Sequence, residues 1–176
     1  MQAHERISAA LRAANDSGRP ALVPFITAGY PEPKDFIATL KAVAEVGDVV
    51  ELGIPFSDPM ADGMTIQRSS FEALQKGVSL KWIFDQLDAA AGEIDAPLVM
   101  MSYLNPLLAF GNEALAVRAL AAGVCGFIVP DLPFEESGEI REAHEAQGLG
   151  LIQLVTPATP DDRLKTLCDA SRGFVY

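Results

Sequence analysis

The sequence predicts an α/β protein of the (β/α)8 TIM-barrel class, with the first six β/α units held in its 176 residues. Three observations predict it. Six short apolar runs, at 21–28, 49–54, 97–103, 125–131, 149–156 and 173–176, alternate with stretches of helical apolar spacing, the order expected of parallel β/α units. The runs are apolar almost throughout, as strands are when a sheet is covered on both faces. The first five end in residues of chemical or conformational character: Thr27-Ala-Gly29, the stretch 55–63, Ser102-Tyr-Leu-Asn105, Pro130-Asp-Leu-Pro133 and Thr156-Pro157. Those C-terminal ends are the functional face of a barrel. A doubly wound dinucleotide-binding sheet, the competing architecture, lacks its Gly-x-Gly-x-x-Gly after the first run.

Each element follows from local pattern. Residues 1–16 are amphipathic and carry Glu5, Arg6, Arg12 and Asp16, which suits a surface helix rather than a leader or a membrane span. Helical spacing recurs in Phe36/Ile37/Leu40/Val43/Ala44, in Leu80/Ile83/Phe84/Leu87, in Ile140/Ala143/Ala146 and in Leu164/Leu167. Ser79 and Thr159 or Asp161 are helix starts, and Gly47, Gly92, Gly123 and Gly148 are stops. Strand starts lie 24 to 28 residues apart, except between 49 and 97, where two helical patterns are divided by Gly77. A complete barrel takes about 250 residues. The expectation is therefore one domain over 1–176 that is a C-terminally incomplete barrel, its last run Gly173-Phe-Val-Tyr176 starting a strand without a following turn.

Composition narrows the function. Net charge is −11, from 24 acidic against 13 basic residues, and the basic residues are scattered singly. This excludes nucleic acid and anionic membranes as partners. Cys125 and Cys168 are expected to be buried free thiols of a cytoplasmic protein in a reducing compartment. The two histidines, His4 and His144, fall in separate helical patterns, so no metal site is expected. Lys34, Lys41, Lys76, Lys81 and Lys165 all lie in or beside helices, leaving no strand-end amine for a Schiff base. What remains at the strand ends is carboxylate, phenol and hydroxyl: Glu51, Asp58, Asp62, Tyr103, Asp131, Tyr176, Thr27 and Ser102. That inventory suits general acid/base catalysis.

Glu51 is the most informative of these. In Val49-Val-Glu-Leu-Gly-Ile54 the period of two sends Val50, Leu52 and Ile54 to one face and Val49, Glu51 and Gly53 to the other. A carboxylate inside such a strand is buried, and burial raises its pKa toward neutrality. Competing structural roles remain for all the polar candidates. Glu51 could pair with an arginine; Asp58 and Asp62 could cap the helix that follows. Asp131, between two prolines, reads equally as a turn former or a ligand, and Tyr103 and Tyr176 as packing residues with wet hydroxyls.

The stretches Pro24-Phe-Ile-Thr-Ala-Gly29, Glu51-Leu-Gly-Ile-Pro-Phe-Ser-Asp-Pro-Met-Ala-Asp-Gly-Met-Thr-Ile-Gln67, Asp131-Leu-Pro-Phe-Glu-Glu136 and Gly173-Phe-Val-Tyr176 together resemble the tryptophan synthase alpha subunit family. The resemblance implies a barrel that cleaves indole-3-glycerol phosphate by a retro-aldol step into indole and glyceraldehyde 3-phosphate. It implies Glu51 as the proton shuttle and Asp62 as partner of the indole N–H. Phe25, Met101, Tyr103, Leu154 and Tyr176 match positions lining the family's indole pocket. The loop tips Pro55, Asp58, Asn105 and Pro133 match positions that meet the beta subunit in an alpha-beta-beta-alpha complex. No cofactor is implied for this chain, since pyridoxal phosphate belongs to the beta subunit. The family's phosphate-binding turns follow strands seven and eight, beyond the six runs found here. Two further readings stand beside this one: a noncatalytic fragment that keeps part of the fold and partner surface, and another phosphate-sugar barrel enzyme of the same architecture.

Overall fold

Five parallel strands carry the structure, a computed structural model that describes all of residues 1–176. They are β1 (Phe25–Thr27), β2 (Val50–Gly53), β3 (Leu98–Met101), β4 (Val124–Ile128) and β5 (Gly150–Ile152). Each pairs with the next in chain order, β1-β2-β3-β4-β5, as in a barrel wall. Eight α-helices accompany them: α1 (Ala3–Asp16), α2 (Phe36–Ala44), α3 (Met64–Gln75), α4 (Leu80–Ala89), α5 (Leu104–Phe110), α6 (Asn112–Ala121), α7 (Gly138–Ala146) and α8 (Asp161–Ala170).

The strands are shorter than the apolar runs. Pro20 and Pro24 have no N–H to give a ladder, so β1 begins only at Phe25. The run 173–176 does not form a sixth strand. It makes one isolated parallel bridge, Gln153 to Val175, and two flanking backbone bonds of 2.9 and 2.8 Å, too few for a ladder. The β2–β3 connection holds α3 and α4, divided at Gly77 (φ 82°) as expected. The helical part of the β3–β4 unit also comes in two pieces, α5 and α6, split at Gly111 (φ 90°).

Local signals explain the helix ends. The Ser79 side chain accepts the Trp82 N–H at 3.2 Å, and Leu80, Ile83, Phe84 and Leu87 bury one stripe of α4. Removing that cap should cost about 1 kcal/mol. Before β2, Arg19 grips both carboxylate oxygens of Asp48 at 2.7 and 2.6 Å. Asp48 also accepts the Leu22 N–H at 2.8 Å, and the pair holds the Asp48 carboxyl down to about 2. Gly47 is needed there for space: a Cβ would come within 2.8 Å of the Pro24 ring.

Strand alternation divides the interior. On the outer, helix-facing side, Val50, Leu52, Met100, Phe127 and Leu151 join a large cluster with the helices. On the inner side a smaller cluster holds Val49, Val99, Cys125, Ile128, Ile152 and Ile7 of α1. Helix α1 closes this inner floor. Gly126 and Gly150 admit it, since a Cβ at Gly126 would meet Ile7 at 3.3 Å and one at Gly150 would meet His4 at 3.1 Å. Cys125 is buried as expected, but Cys168 is exposed on α8. Only Leu167 of that helix is buried, so Cys168 falls on the wet face.

His144 is fully buried on the outer side, stacked on Phe127 at 4.6 Å, with neither ring nitrogen hydrogen-bonded. Burial alone pushes its pKa down to about 4 from 6.5. In that interval the unfolded chain binds a proton that the folded chain refuses, so stability is lost as pH falls, by on the order of 3 kcal/mol in all. The variant His144→Leu should therefore gain on the parent protein as pH drops. Denaturant unfolding at pH 7 and pH 4 measures this; an equal gap at both would contradict the assignment.

Candidate active site

Glu51 stands in the middle of β2, only 4% exposed. The ladder sets it between Phe25 of β1 and Val99 of β3, on the inner side with Val49. The structure places no hydrogen-bond donor or cation on its carboxylate, which rules out the arginine-paired reading. Burial raises its pKa from 4.5 to about 7. Tyr176 lies near enough that the charge of Glu51, followed by burial, pushes the Tyr176 phenol up.

Asp62 sits half-buried in the loop between β2 and α3. It does not cap α3, because Gly63 occupies that position and no side chain caps it. Two side chains pin the loop instead. The Tyr103 hydroxyl accepts the Ala61 N–H at 2.8 Å, and the Gln67 side-chain amide donates to the Asp62 carbonyl at 2.8 Å. Burial raises the Asp62 pKa, and the neighbouring Tyr103 hydroxyl pulls it part of the way back. Tyr103 is itself buried, with its ring 5.3 Å from that of Phe56. Burial raises its phenol pKa most, and the charge of Asp62 adds to this.

Phe25, Met101, Tyr103 and Asp62 converge on one pocket, lined also by Gly53, Ile66 and Pro130. The wall is mainly apolar with a few placed polar groups, but the space it encloses is about 20 Å³, room for a single water, so a flat aromatic ligand enters only when these side chains move apart. Of the expected lining set, Leu154 and Tyr176 do not join it, and Glu51 is not among the lining residues; Tyr176 is 51% exposed. Leu154 is 36% exposed beyond the end of β5 and opens onto a neighbouring cleft, with Pro130 shared between the two. Gly53 was not singled out by the sequence reading, although a glycine inside a strand marks close approach. The Phe25 ring fills the space its side chain would take: a Cβ there would sit 2.4 Å from the ring.

Other polar candidates have structural employment. Thr27 and Ser69 share a buried hydroxyl bond of 2.7 Å, and the Ser102 hydroxyl donates to the Tyr103 carbonyl at 2.9 Å. Asp131 is neither a bare turn former nor a free ligand, because it accepts the Leu104 N–H at 2.9 Å and so anchors the start of α5. Asp58 and Pro133 are exposed, as expected of loop tips. Pro55 is buried, since it directly continues the buried end of β2, and Asn105 lies exposed in the first turn of α5 rather than in a loop. No group of three or more His, Cys, Asp or Glu side chains is disposed to hold a metal ion.

A parallel β/α wall with a buried carboxylate and an apolar pocket at the C-terminal ends of its strands defines a protein of the (β/α)8-barrel class. The comparisons with known proteins go further. The sequence model of the tryptophan synthase alpha chain matches residues 11–176. The alpha chain of Desulfovibrio desulfuricans is 48% identical over 167 residues, covering 94% of this chain and 66% of that one. That of Picosynechococcus is 40% identical, covering 97% and 65%. Among solved structures, tryptophan synthase subunit alpha from Legionella pneumophila superposes with a TM-score of 0.91 at 33% identity, covering 100% of this chain and 67% of that one. The tryptophan synthase a2b2 complex of Pyrococcus furiosus gives 0.84 at 40% identity, covering 89% and 67%. The chain belongs to the tryptophan synthase alpha chain family. It spans about two thirds of the length of these relatives.

Tyr103→Phe keeps the ring and removes the acceptor of the Ala61 N–H. The Ala61 amide should exchange with solvent about tenfold faster, the loss of one modest hydrogen bond, and Asp62 should titrate higher. Both are read by NMR, and unchanged Ala61 protection would show that the hydroxyl does not hold the loop.

Proposed function

We propose that the chain is the acid/base part of a lyase that cleaves indole-3-glycerol phosphate to indole and glyceraldehyde 3-phosphate, in tryptophan biosynthesis. The observation that carries this reading is Glu51: buried, without a partner, and with a pKa of about 7. A carboxyl poised there is near half-protonated at neutral pH, so it can both give and take a proton.

In the proposed step, protonated Glu51 delivers its proton to indole C3. Positive charge then develops on the ring nitrogen, where Asp62 accepts the N–H and stabilises it. The bond from C3 to the glycerol carbon breaks as the hydroxyl on that carbon becomes the aldehyde. Its proton returns to the Glu51 carboxylate, which restores the starting state. Phe25, Met101 and Tyr103 hold the ring flat, and the charge of Glu51 is felt by Tyr176 at the rim. The phosphate would be held by turns after strands seven and eight, as the family resemblance implies.

The partner we propose is a beta subunit, in an alpha-beta-beta-alpha complex that passes indole onward. Asp58, Asn105 and Pro133 present the exposed part of that surface, while Pro55 supports it from below. The Pyrococcus furiosus neighbour, a tryptophan synthase a2b2 complex, supports this assembly. We propose no resident cofactor for this chain, with pyridoxal phosphate on the beta subunit, and a cytoplasmic location. No helix is long and apolar enough to cross a membrane.

The decisive variant is Glu51→Gln, assayed for indole release with a beta subunit present and with the phosphate-binding turns supplied on a full-length chain. Release should fall by about three orders of magnitude or more, while the fold gains stability above pH 7 because a buried charge is gone. Turnover that survives the substitution would refute the role of Glu51. Residues 1–176 alone should release little indole; a rate matching the full-length chain would show that the phosphate turns are dispensable.

A further inference from the structure

A second cleft opens beside the first, between the C-terminal ends of β4 and β5, the segment 129–134 and α8. Its volume is about 280 Å³, at the small end of ligand sites. Leu132, Phe134, Leu151 and Leu167 give it an apolar side, and Asp131, Thr159 and Arg163 a polar one. Gln153 is set into its wall. Strand alternation places it on the same face as Leu151, pointing toward α8, and it is 6% exposed. Its backbone is fully engaged: the N–H donates to the Ser171 hydroxyl at 3.0 Å and the carbonyl accepts the Tyr176 N–H at 2.9 Å. The structure gives its side-chain carboxamide no hydrogen-bond partner.

The other polar groups around the cleft are already committed. Arg163 is held by both carboxylate oxygens of Glu135. The Thr159 hydroxyl accepts the Thr156 N–H at 2.9 Å, and Asp131 holds the start of α5. Charge also argues against an anion, because Glu135 neutralises Arg163 and Asp161 and Asp162 offset the positive end of α8. What is left is a slot with one apolar side and an amide, open to the cleft, able to donate and accept.

We propose that this cleft is a binding site for a small, flat, neutral molecule of roughly ten non-hydrogen atoms, whose apolar face lies on Leu132, Phe134, Leu151 and Leu167 and whose polar edge pairs with the Gln153 carboxamide. The site is distinct from the pocket under Asp62 and does not rest on the reading of Glu51. Pro130, which lines both, is the partition between them.

Indole and 1-methylindole serve as probes, since they share a shape and differ in one N–H. NMR titration of the 176-residue chain follows the Gln153 side-chain amide and the Leu151 and Leu167 methyls, with Phe25 and Tyr103 reporting the other pocket. Indole should shift the Gln153 and Leu167 signals saturably, and 1-methylindole should bind there about tenfold more weakly. In Gln153→Leu that difference should vanish. Shifts confined to Phe25 and Tyr103, no saturable shift at all, or equal binding of the two probes by the parent chain would each overturn the proposal. Because the two pockets report separately, failure here and failure of the lyase reading are told apart.

Discussion

The parallel register that sets Phe25, Glu51 and Val99 in one row is the constraint on which the rest depends. A shift of one residue would turn Glu51 to the helix side and expose Val50 to the inner face. The register is held from both faces, by the large outer cluster and by Ile7 against the inner one. It is also held from below, where Asp48 ties Arg19 and Leu22 together just before β2. The cost of an unpaired carboxylate in the wall is thus borne by packing around it, and the same cost moves its proton affinity to neutrality.

Around that carboxylate the chain uses ordinary secondary-structure chemistry to aim its second acid. Tyr103 begins as the residue before α5, and α5 is anchored by Asp131 from the next β/α connection. Through its hydroxyl, Tyr103 in turn fixes the Ala61-Asp62 backbone, which Gln67 grips from α3. Three successive β/α units therefore converge on the position of Asp62. This places a loop residue with nearly the definition of a strand residue, which a proton-transfer site requires.

Much of this was legible in the residues. Alternation in 49–54 identified the inner face and the buried acid, because the apolar partners of each face are unambiguous. The parallel wall followed from uniformly apolar runs. Long-range hydrogen bonds were not legible: nothing local in Asp131 announces that it will meet Leu104, and nothing in Tyr103 that its hydroxyl will take the Ala61 N–H. The same holds for the segment 173–176, whose composition is that of a strand although it makes a single bridge. The exposure of Cys168 escaped for a different reason, since α8 buries only Leu167 and its apolar stripe is too thin to fix the helix face by pattern. Family resemblance carried the roles of Glu51 and Asp62, while physical chemistry supplied the reason each group suits its role.

Two unpartnered titratable groups lie on opposite sides of the sheet, Glu51 within and His144 without, and burial shifts them in opposite directions. Unfolding between pH 4.5 and 6.5 lets His144 take up a proton while Glu51 gives one up. The two transfers nearly balance, so this pair exchanges almost no net protons with the solvent as the chain unfolds. Its share of the unfolding heat is then nearly the same whether the buffer has a large or a small enthalpy of ionisation. A flat stability profile across mild acid would conceal two large opposing electrostatic costs rather than indicate that none exists.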